Sequence, residues 1–311
     1  MMRWPGLVIL LGLAACAPSL APRGTDAVTP VMADDTITMR DGTSLPLRRW
    51  EADAPRAVIV ALHGMGDYSN AFDSPGKVWA KMGITTLAYD QRGFGAGPNP
   101  GLWAGAAVMR DDLHDAVAAA HARYPGIPLF ALGESMGGAV LLTALASATP
   151  RKLDVAGVIL VAPAVWSRGD MPLSYRAALF LAAHLMPGLV LSNSAASSVV
   201  TIMPSDNIPM LRAMRRDPLV QKNTRTGTLY GLVDLMDEAR HAVPAAPPPI
   251  LLLTGDRDQV IPKPPTEAVI AALGDKATVK RYPNGYHMLL RDLDGAAVAG
   301  DVADWILAHR N

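Results

Sequence analysis

A chain of 311 residues that is 50% apolar and only 18% charged holds ample material for a large buried core, and its composition is the opposite of the disorder signature. Its 28 Lys and Arg offset 28 Asp and Glu, so the net charge is zero and nucleic acid is not an expected partner. A single cysteine excludes an internal disulfide framework and any four-cysteine metal site.

The chain opens Met1-Met2-Arg3-Trp4, runs through an apolar stretch and reaches Leu13-Ala14-Ala15-Cys16 before a polar, proline-containing segment. A positive start, a short apolar run and small residues at a cut site are the parts of an export signal; the run falls well short of the roughly 20 residues that span a bilayer. The Leu-Ala-Ala-Cys segment resembles the lipobox of bacterial lipoproteins. That resemblance implies that residues 1–16 form a signal whose cysteine, Cys16, carries a diacylglyceryl thioether and becomes the mature amino terminus. Ala17 beside it implies the outer membrane, with the protein facing the periplasm. An ordinary cleaved signal with a chance cysteine is the alternative. Residues 17–35, rich in Pro, Thr, Ala and Gly, are expected to form a flexible tether.

Beyond residue 35, short β-type runs alternate with longer helical patterns, which predicts an α/β protein with a parallel sheet and crossover helices. Residues 36–39 and 45–50 flank Asp41-Gly42 and read as a hairpin. Residues 57–62 are continuously apolar, hence a buried strand, followed at once by His63-Gly64-Met65-Gly66. A strand at 84–89 ends in Asp90-Gln91-Arg92-Gly93-Phe94-Gly95, and residues 108–124 keep helical spacing up to Pro125-Gly126. A strand at 127–132 precedes a helix at 136–146, and further strands are expected at 155–162, 250–254 and 277–282. The alternation fails over residues 163–249. Residues 166–246 are therefore read as a cap inserted between a first part of the core, 36–165, and a second, 247–311. Within the cap, residues 177–191 are strongly apolar but interrupted by His184 and Pro187, which fits an amphipathic lid helix or an ordinary core-packed one.

Chemistry centres on Gly133-Glu134-Ser135-Met136-Gly137, between a strand and a helix. The bare pattern is weak, but its setting is that of a nucleophile elbow, which needs a sharp strand-to-helix turn and small residues beside a raised hydroxyl. Serine is a poor nucleophile at its own pKa and needs a base, which in turn needs an orienting carboxylate. In α/β-hydrolases these follow in the chain order serine, acid, histidine. His287, in Asn284-Gly285-Tyr286-His287, then becomes the candidate base, while His309 in the last helical turn reads as a surface residue. The acid is expected just past residue 254, where Asp256 and Asp258 compete and spacing does not separate them. The unused one is expected to organise the turn. The backbone N–H groups of Met65 and Met136 are candidate oxyanion donors. His63 has no second ligand at metal spacing and reads as a loop-shaping residue. Gly93-Phe94-Gly95-Ala96-Gly97-Pro98 lacks the dinucleotide spacing, and neither cofactor nor metal is expected.

His63-Gly64-Met65-Gly66-Asp67, Asp90-Gln91-Arg92-Gly93-Phe94-Gly95, Gly133-Glu134-Ser135-Met136-Gly137-Gly138, Asp217-Pro218-Leu219, Gly255-Asp256-Arg257-Asp258 and Tyr286-His287 occur in the order of a known family. From about residue 36 onward the chain resembles the α/β-hydrolase superfamily, in the monoacylglycerol lipase and lysophospholipase group also called the serine aminopeptidase S33 type. The resemblance implies a mostly parallel, doubly covered sheet with a mainly helical cap over an acyl-binding groove. It implies a triad of Ser135, Asp258 and His287, with Gly-x-x-Asp assigning the acid to Asp258, and an oxyanion hole at Met65 and Met136. The implied reaction is hydrolysis of carboxylic esters of lipid-like or small acyl substrates through an acyl-enzyme. Expected partners are that substrate and a membrane reached through Cys16. A serine nucleophile argues against dehalogenases and epoxide hydrolases, which carry Asp there. A proline iminopeptidase-like enzyme or an acyltransferase could use the same triad. The peptidase would need a cap carboxylate for its substrate's ammonium, with Asp234, Asp237 and Glu238 as candidates. A noncatalytic envelope binding lipoprotein is the alternative outside enzymes.

Overall fold

The apolar runs of the sequence become the middle of a sheet. In the computed structural model the described residues are Pro18, 20–146, 152–192, 202–247 and 249–310, so Cys16 and the rest of the leader lie outside them. The elements are β1 (Val31–Met32), β2 (Thr36–Thr38), β3 (Ser44–Trp50), β4 (Ala57–Leu62), α1 (Asp73–Lys81), β5 (Ile84–Tyr89), α2 (Ala106–Arg123), β6 (Leu129–Glu134), α3 (Met136–Ala146), β7 (Gly157–Val161), α4 (Leu173–Leu185), β8 (Val190–Ser192), α5 (Ile208–Arg216), β9 (Asn223–Arg225), α6 (Thr226–Ala242), β10 (Ile250–Gly255), α7 (Lys263–Leu273), β11 (Ala277–Tyr282) and α8 (Gly295–Ala308).

One sheet runs in the order β1-β2-β3-β5-β4-β6-β7-β10-β11. The strands from β5 to β11 in that order pair in parallel, and β1, β2 and β3 extend the sheet in antiparallel fashion. Every residue of β4, β5, β6, β7 and β10 is buried, because both faces are covered. Leu113 of α2, Val140 of α3, Leu235 of α6 and Val269 of α7 pack on one face, and Trp79 of α1 with Val302 of α8 on the other. Each such side chain contributes about 1.5–3 kcal/mol by leaving water. Parallel pairing puts the carboxyl ends of β4, β6, β10 and β11 on one edge, which is where the loops of interest emerge.

The segment expected to be a tether is laid against this core. Ala21 is buried and its N–H donates to Trp103 O at 2.8 Å; the N–H groups of Ala27 and Val28 donate to Arg40 O, and β1 pairs with β2. Arg23 adds ion pairs to Asp26 and Asp111. Paired backbone groups and a buried side chain offset the chain entropy that a free tether would keep. Arg92, in the loop after β5, ties two distant pieces together: its guanidinium donates to Asp41 in the hairpin turn and to Asp112 on α2, at 2.7–2.9 Å.

Between β7 and β10 the chain forms α4, a two-stranded β8–β9 ribbon, α5 and α6. Of the two readings of the apolar stretch in this region, the lid helix is the one that matches: within α4 only Ala183 is buried, while Leu173, Phe180, Leu181 and Leu185 stay exposed. The helix stops before Pro187, and no helix among the described residues is long and apolar enough to cross a membrane. In contrast, α6 lies along α3 and buries Val233, Leu235, Met236 and Ala239, so this last helix of the insertion is part of the main core.

The loop after β4 is fastened by His63, as its sequence context suggests. Gln91 N–H donates to His63 Nε2 at 3.0 Å, which leaves the ring proton on Nδ1 to meet Gly64 O at 2.9 Å, and Gln91 Nε2 donates to His63 O at 2.8 Å. Burial holds the imidazole neutral, with its pKa below the ordinary histidine value. The unfolded chain therefore binds a proton near pH 6.5 that the folded chain refuses, and stability falls as pH drops below that value. Urea unfolding at pH 7, 6 and 5 should show the pH slope of a His63→Gln variant flattened against wild type by up to about 1.4 kcal/mol per pH unit, the limit for one proton. Equal slopes would contradict this account.

Candidate active site

Ser135 joins β6 directly to α3, and its backbone sits in the left-handed region at φ 52°. A non-glycine residue there costs of order 1–3 kcal/mol and persists only where its surroundings enforce it. They do so here by close packing. A Cβ at Gly133 would stand 2.4 Å from Gly137 O, and one at Gly137 would stand 2.2 Å from Leu62 O. Ser135 N–H donates to Val161 O at 2.9 Å, and Ser135 O accepts from Ala164 N at 2.9 Å and Ala139 N at 3.2 Å. The two outer glycines of G-x-S-x-G are thus steric requirements, and the turn they allow lifts the serine onto the carboxyl edge.

His287 follows β11 and is buried; its Nδ1 lies 2.8 Å from Asp258 Oδ2 in the loop after β10. Asp258 Oδ1 accepts from Val260 N at 2.7 Å and Ile261 N at 3.0 Å, which fixes the carboxylate. The two loops are sewn together by Asp256 N to Tyr282 O and Arg257 N to Gly285 O, both 3.0 Å. Gly255 is needed for this approach, since a Cβ there would meet Gly285 O at 2.2 Å. Asp256 points elsewhere: it is exposed and meets Lys263 Nζ at 3.5 Å. The expectation that the unused aspartate organises the turn is corrected, because Asp258 both meets the histidine and accepts the turn's N–H groups. His309 stacks on Trp305 in α8, away from this edge.

Met136 opens α3, so its N–H is one of the first-turn donors with no partner inside the helix. Met65 sits in the loop after β4, next to Gly64, whose Cβ if present would stand 3.8 Å from Ser135 Oγ. That loop is held from the cap: Gln221 N donates to Gly66 O at 2.8 Å, and Tyr68 OH donates to Asp217 Oδ2 at 2.6 Å. Asp217-Pro218-Leu219, singled out in the sequence, is thus a clamp on the loop carrying Met65.

Some residues of this edge carried no sequence signal. Asp292 Oδ2 accepts from Tyr286 N at 2.7 Å, and its Oδ1 from Ser205 Oγ at 2.6 Å, which braces the histidine loop against the cap. Arg291 and Glu134 form a buried ion pair. Their spacing from His287 and Ser135 belongs to no general pattern, so only three-dimensional proximity finds them. The three cap carboxylates weighed for an ammonium site are each matched with an arginine: Arg168 pairs with Asp234 and Asp237, and Arg110 with Glu238. Between α4 and α6 the cap leaves a half-open, mainly apolar hollow of about 430 Å³ lined by Leu173, Phe180, Tyr230 and Val233 with Arg168 at one side.

Residues 53–294 match the family described as serine aminopeptidase, S33. Human monoglyceride lipase is 27% identical over 285 residues, 88% of this chain and 89% of the human protein. Monoacylglycerol lipase of Mycolicibacterium smegmatis is 25% identical over 264 residues, 84% of this chain and 91% of that protein. Among solved structures, a soluble variant of Saccharomyces cerevisiae monoglyceride lipase in complex with a substrate analog superposes with a TM-score of 0.73 at 18% identity, over 94% of this chain and 100% of that chain. Paleococcus ferrophilus monoacylglycerol lipase gives a TM-score of 0.67 at 22% identity, over 85% of this chain and 99% of that chain. These two likenesses are of fold; the family match spans most of the sequence. The chain belongs to the serine aminopeptidase S33 family of α/β-hydrolases.

Proposed function

We propose that the protein is a serine hydrolase that cleaves carboxylic esters of monoacylglycerol-like substrates through an acyl-enzyme on Ser135. The observation that carries this reading is the 2.8 Å contact of His287 Nδ1 with Asp258, on the sheet edge where the Ser135 elbow also emerges. With Nδ1–H directed to Asp258, Nε2 is the nitrogen free to accept a proton. As Ser135 Oγ attacks the ester carbonyl carbon, Nε2 takes the hydroxyl proton, and the tetrahedral oxyanion accepts bonds from the Met65 and Met136 N–H groups. Collapse breaks the acyl–oxygen bond, and the departing alcohol takes the proton from His287. Water, deprotonated by the same nitrogen, then attacks the acyl-enzyme and releases the carboxylic acid. The arginine partners of Asp234, Asp237 and Glu238 disfavour the aminopeptidase reading, since each carboxylate is already engaged by a guanidinium. The relatives named as monoglyceride lipases and the apolar cap favour an acyl substrate.

Ser135→Ala should lower kcat on p-nitrophenyl esters by about 10⁶-fold, and Asp258→Asn by about 10⁴-fold, as removing the corresponding groups does in other serine hydrolases. Asp256→Asn should keep the wild-type rate. Equal losses in the two aspartate variants, or wild-type enzyme inert to both esters and a fluorophosphonate probe, would overturn the assignment.

We infer further that Cys16 carries a lipid anchor in the outer membrane of a bacterial envelope. The leader pattern supports it, and so does the way the chain enters the fold. Pro18, two residues on, has its Cβ 3.4 Å from the point where a side chain at Gly227 would begin, and Gly227 N–H donates to Pro187 O at 3.0 Å. The anchor would thus leave beside the end of α4, where Leu185, Met186, Leu189 and Val190 are exposed. Two acyl chains suffice for stable anchoring at about 0.8 kcal/mol per buried CH₂. Mass spectrometry of the mature protein should find a diacylglyceryl group on Cys16, and Cys16→Ser should move the enzyme from the membrane to the soluble fraction. An unmodified amino terminus would remove the proposal.

A further inference from the structure

Arg291 lies in the short 3₁₀ turn Leu289–Arg291 that follows His287, and its guanidinium is almost wholly buried. Its two terminal nitrogens go to different loops. Nη1 donates to Asp67 Oδ2 at 2.6 Å, and Nη2 donates to Glu134 Oε2 at 3.2 Å. Glu134 immediately precedes Ser135. Asp67 follows Met65 by two residues and closes that loop through its own N–H to Gly64 O at 3.2 Å, while its Oδ1 accepts from Tyr68 N at 2.9 Å. A single side chain on the histidine loop therefore grips the loops after β4 and β6 together.

Stability is a poor explanation for this cluster. Taking three charges out of water costs several kcal/mol per ion before their attraction offsets it, and buried ion pairs are often replaceable by apolar groups without loss. Two further atoms add to the cost, because Glu134 Oε1 and Arg291 Nε are buried without a hydrogen-bond partner among the described residues. Two carboxylates also face one guanidinium, which leaves the ionised cluster with a net negative charge. Burial raises the Glu134 carboxyl above its ordinary range, opposed by the Arg291 charge and reinforced by that of Asp67. What such an arrangement supplies is geometry.

We propose that Arg291 is a positioning residue for ester hydrolysis: through Asp67 and Glu134 it holds the segments carrying Met65, Ser135 and His287 in register. The inference rests on the ester-hydrolase reading. Misplacing reacting groups by about 1 Å costs on the order of 100-fold in rate, which sets the scale. A lysine keeps the charge but not the fork that reaches both carboxylates.

The test uses the full-length enzyme, p-nitrophenyl butyrate, and fluorophosphonate titration, so that kcat is counted per competent serine. Arg291→Met should lower kcat by about 100-fold with little change in KM, and Arg291→Lys should recover only part of the loss. Glu134→Gln keeps an acceptor for Arg291 and removes the charge. The groups facing the site are Arg291, Asp67 and Glu134 around the guanidinium, Asp258 on His287, and His63 and Asp90 behind the Met65 loop. Because an acceptor for Arg291 remains, Glu134→Gln should lower kcat less than Arg291→Met does, again with KM little changed. Unchanged kcat per titrated site in Arg291→Met and Arg291→Lys, with only a lower melting temperature, would overturn the proposal and leave a structural ion pair. Should Arg291→Met not fold, Arg291→Lys and Glu134→Gln carry the same test. A wild-type enzyme that neither turns over nor titrates would overturn the ester-hydrolase reading instead.

Discussion

The backbone between β6 and α3 has no slack, and much of the carboxyl edge is set by that fact. Gly137 lies where a Cβ would overlap the Leu62 carbonyl, so the start of α3 rests directly on the end of β4. Gly133 meets the first turn of α3 just as closely. The left-handed backbone of Ser135 is what remains possible between them. The loop after β4 then passes the serine at Gly64, where a Cβ would stand 3.3 Å from Ser135 Cβ, closer than most such contacts. The first turn of α3 and the loop carrying Met65 thus border the serine, where the proposed oxyanion donors would sit.

The strands that carry this geometry were the most legible part of the sequence. Short continuous apolar runs read as buried strands, and β4, β5 and β10 fall within a residue of the expected bounds. Polar residues were legible where the chain itself brings them to a strand end, as with Ser135 and His287. Spacing alone left Asp256 and Asp258 open, because the choice depends on which carboxylate the turn after β10 swings toward β11. Helix α1 was missed because Pro75 and Gly76 mask its pattern. The proline falls in the first turn, where its lost N–H does no harm, and the glycine is the only residue that fits against Trp50. Residues 20–35 look like linker by composition, yet their hydrogen bonds go to Trp103 and Arg40, partners no local pattern foretells.

Charge is distributed in a way the zero net total hides. Inside, ionised groups join loops that are far apart in sequence: Arg92 joins the hairpin turn to α2, and Arg291 joins three loops of the carboxyl edge. At the cap, Arg168 and, from α2, Arg110 pair with the acidic groups of α6. An ammonium substrate would have to compete with guanidinium partners already in place, at distances of 2.5–2.8 Å. An uncharged acyl chain faces no such competition.

The exposed apolar residues of α4 complete that contrast. Leu173, Phe180, Leu181 and Leu185 expose from about half to nearly three quarters of their surface, and the chain enters the fold beside the same helix end. In a protein free in water such a patch is a liability, because each exposed side chain forgoes the transfer free energy that burial would supply. Against a bilayer the same residues lose little by being uncovered, and the proposed anchor would hold them there. On the proposed reading, the apolar cap, its paired carboxylates and the entry point of the chain would answer to one requirement: a substrate drawn from lipid would have to reach a serine held at the edge of a sheet.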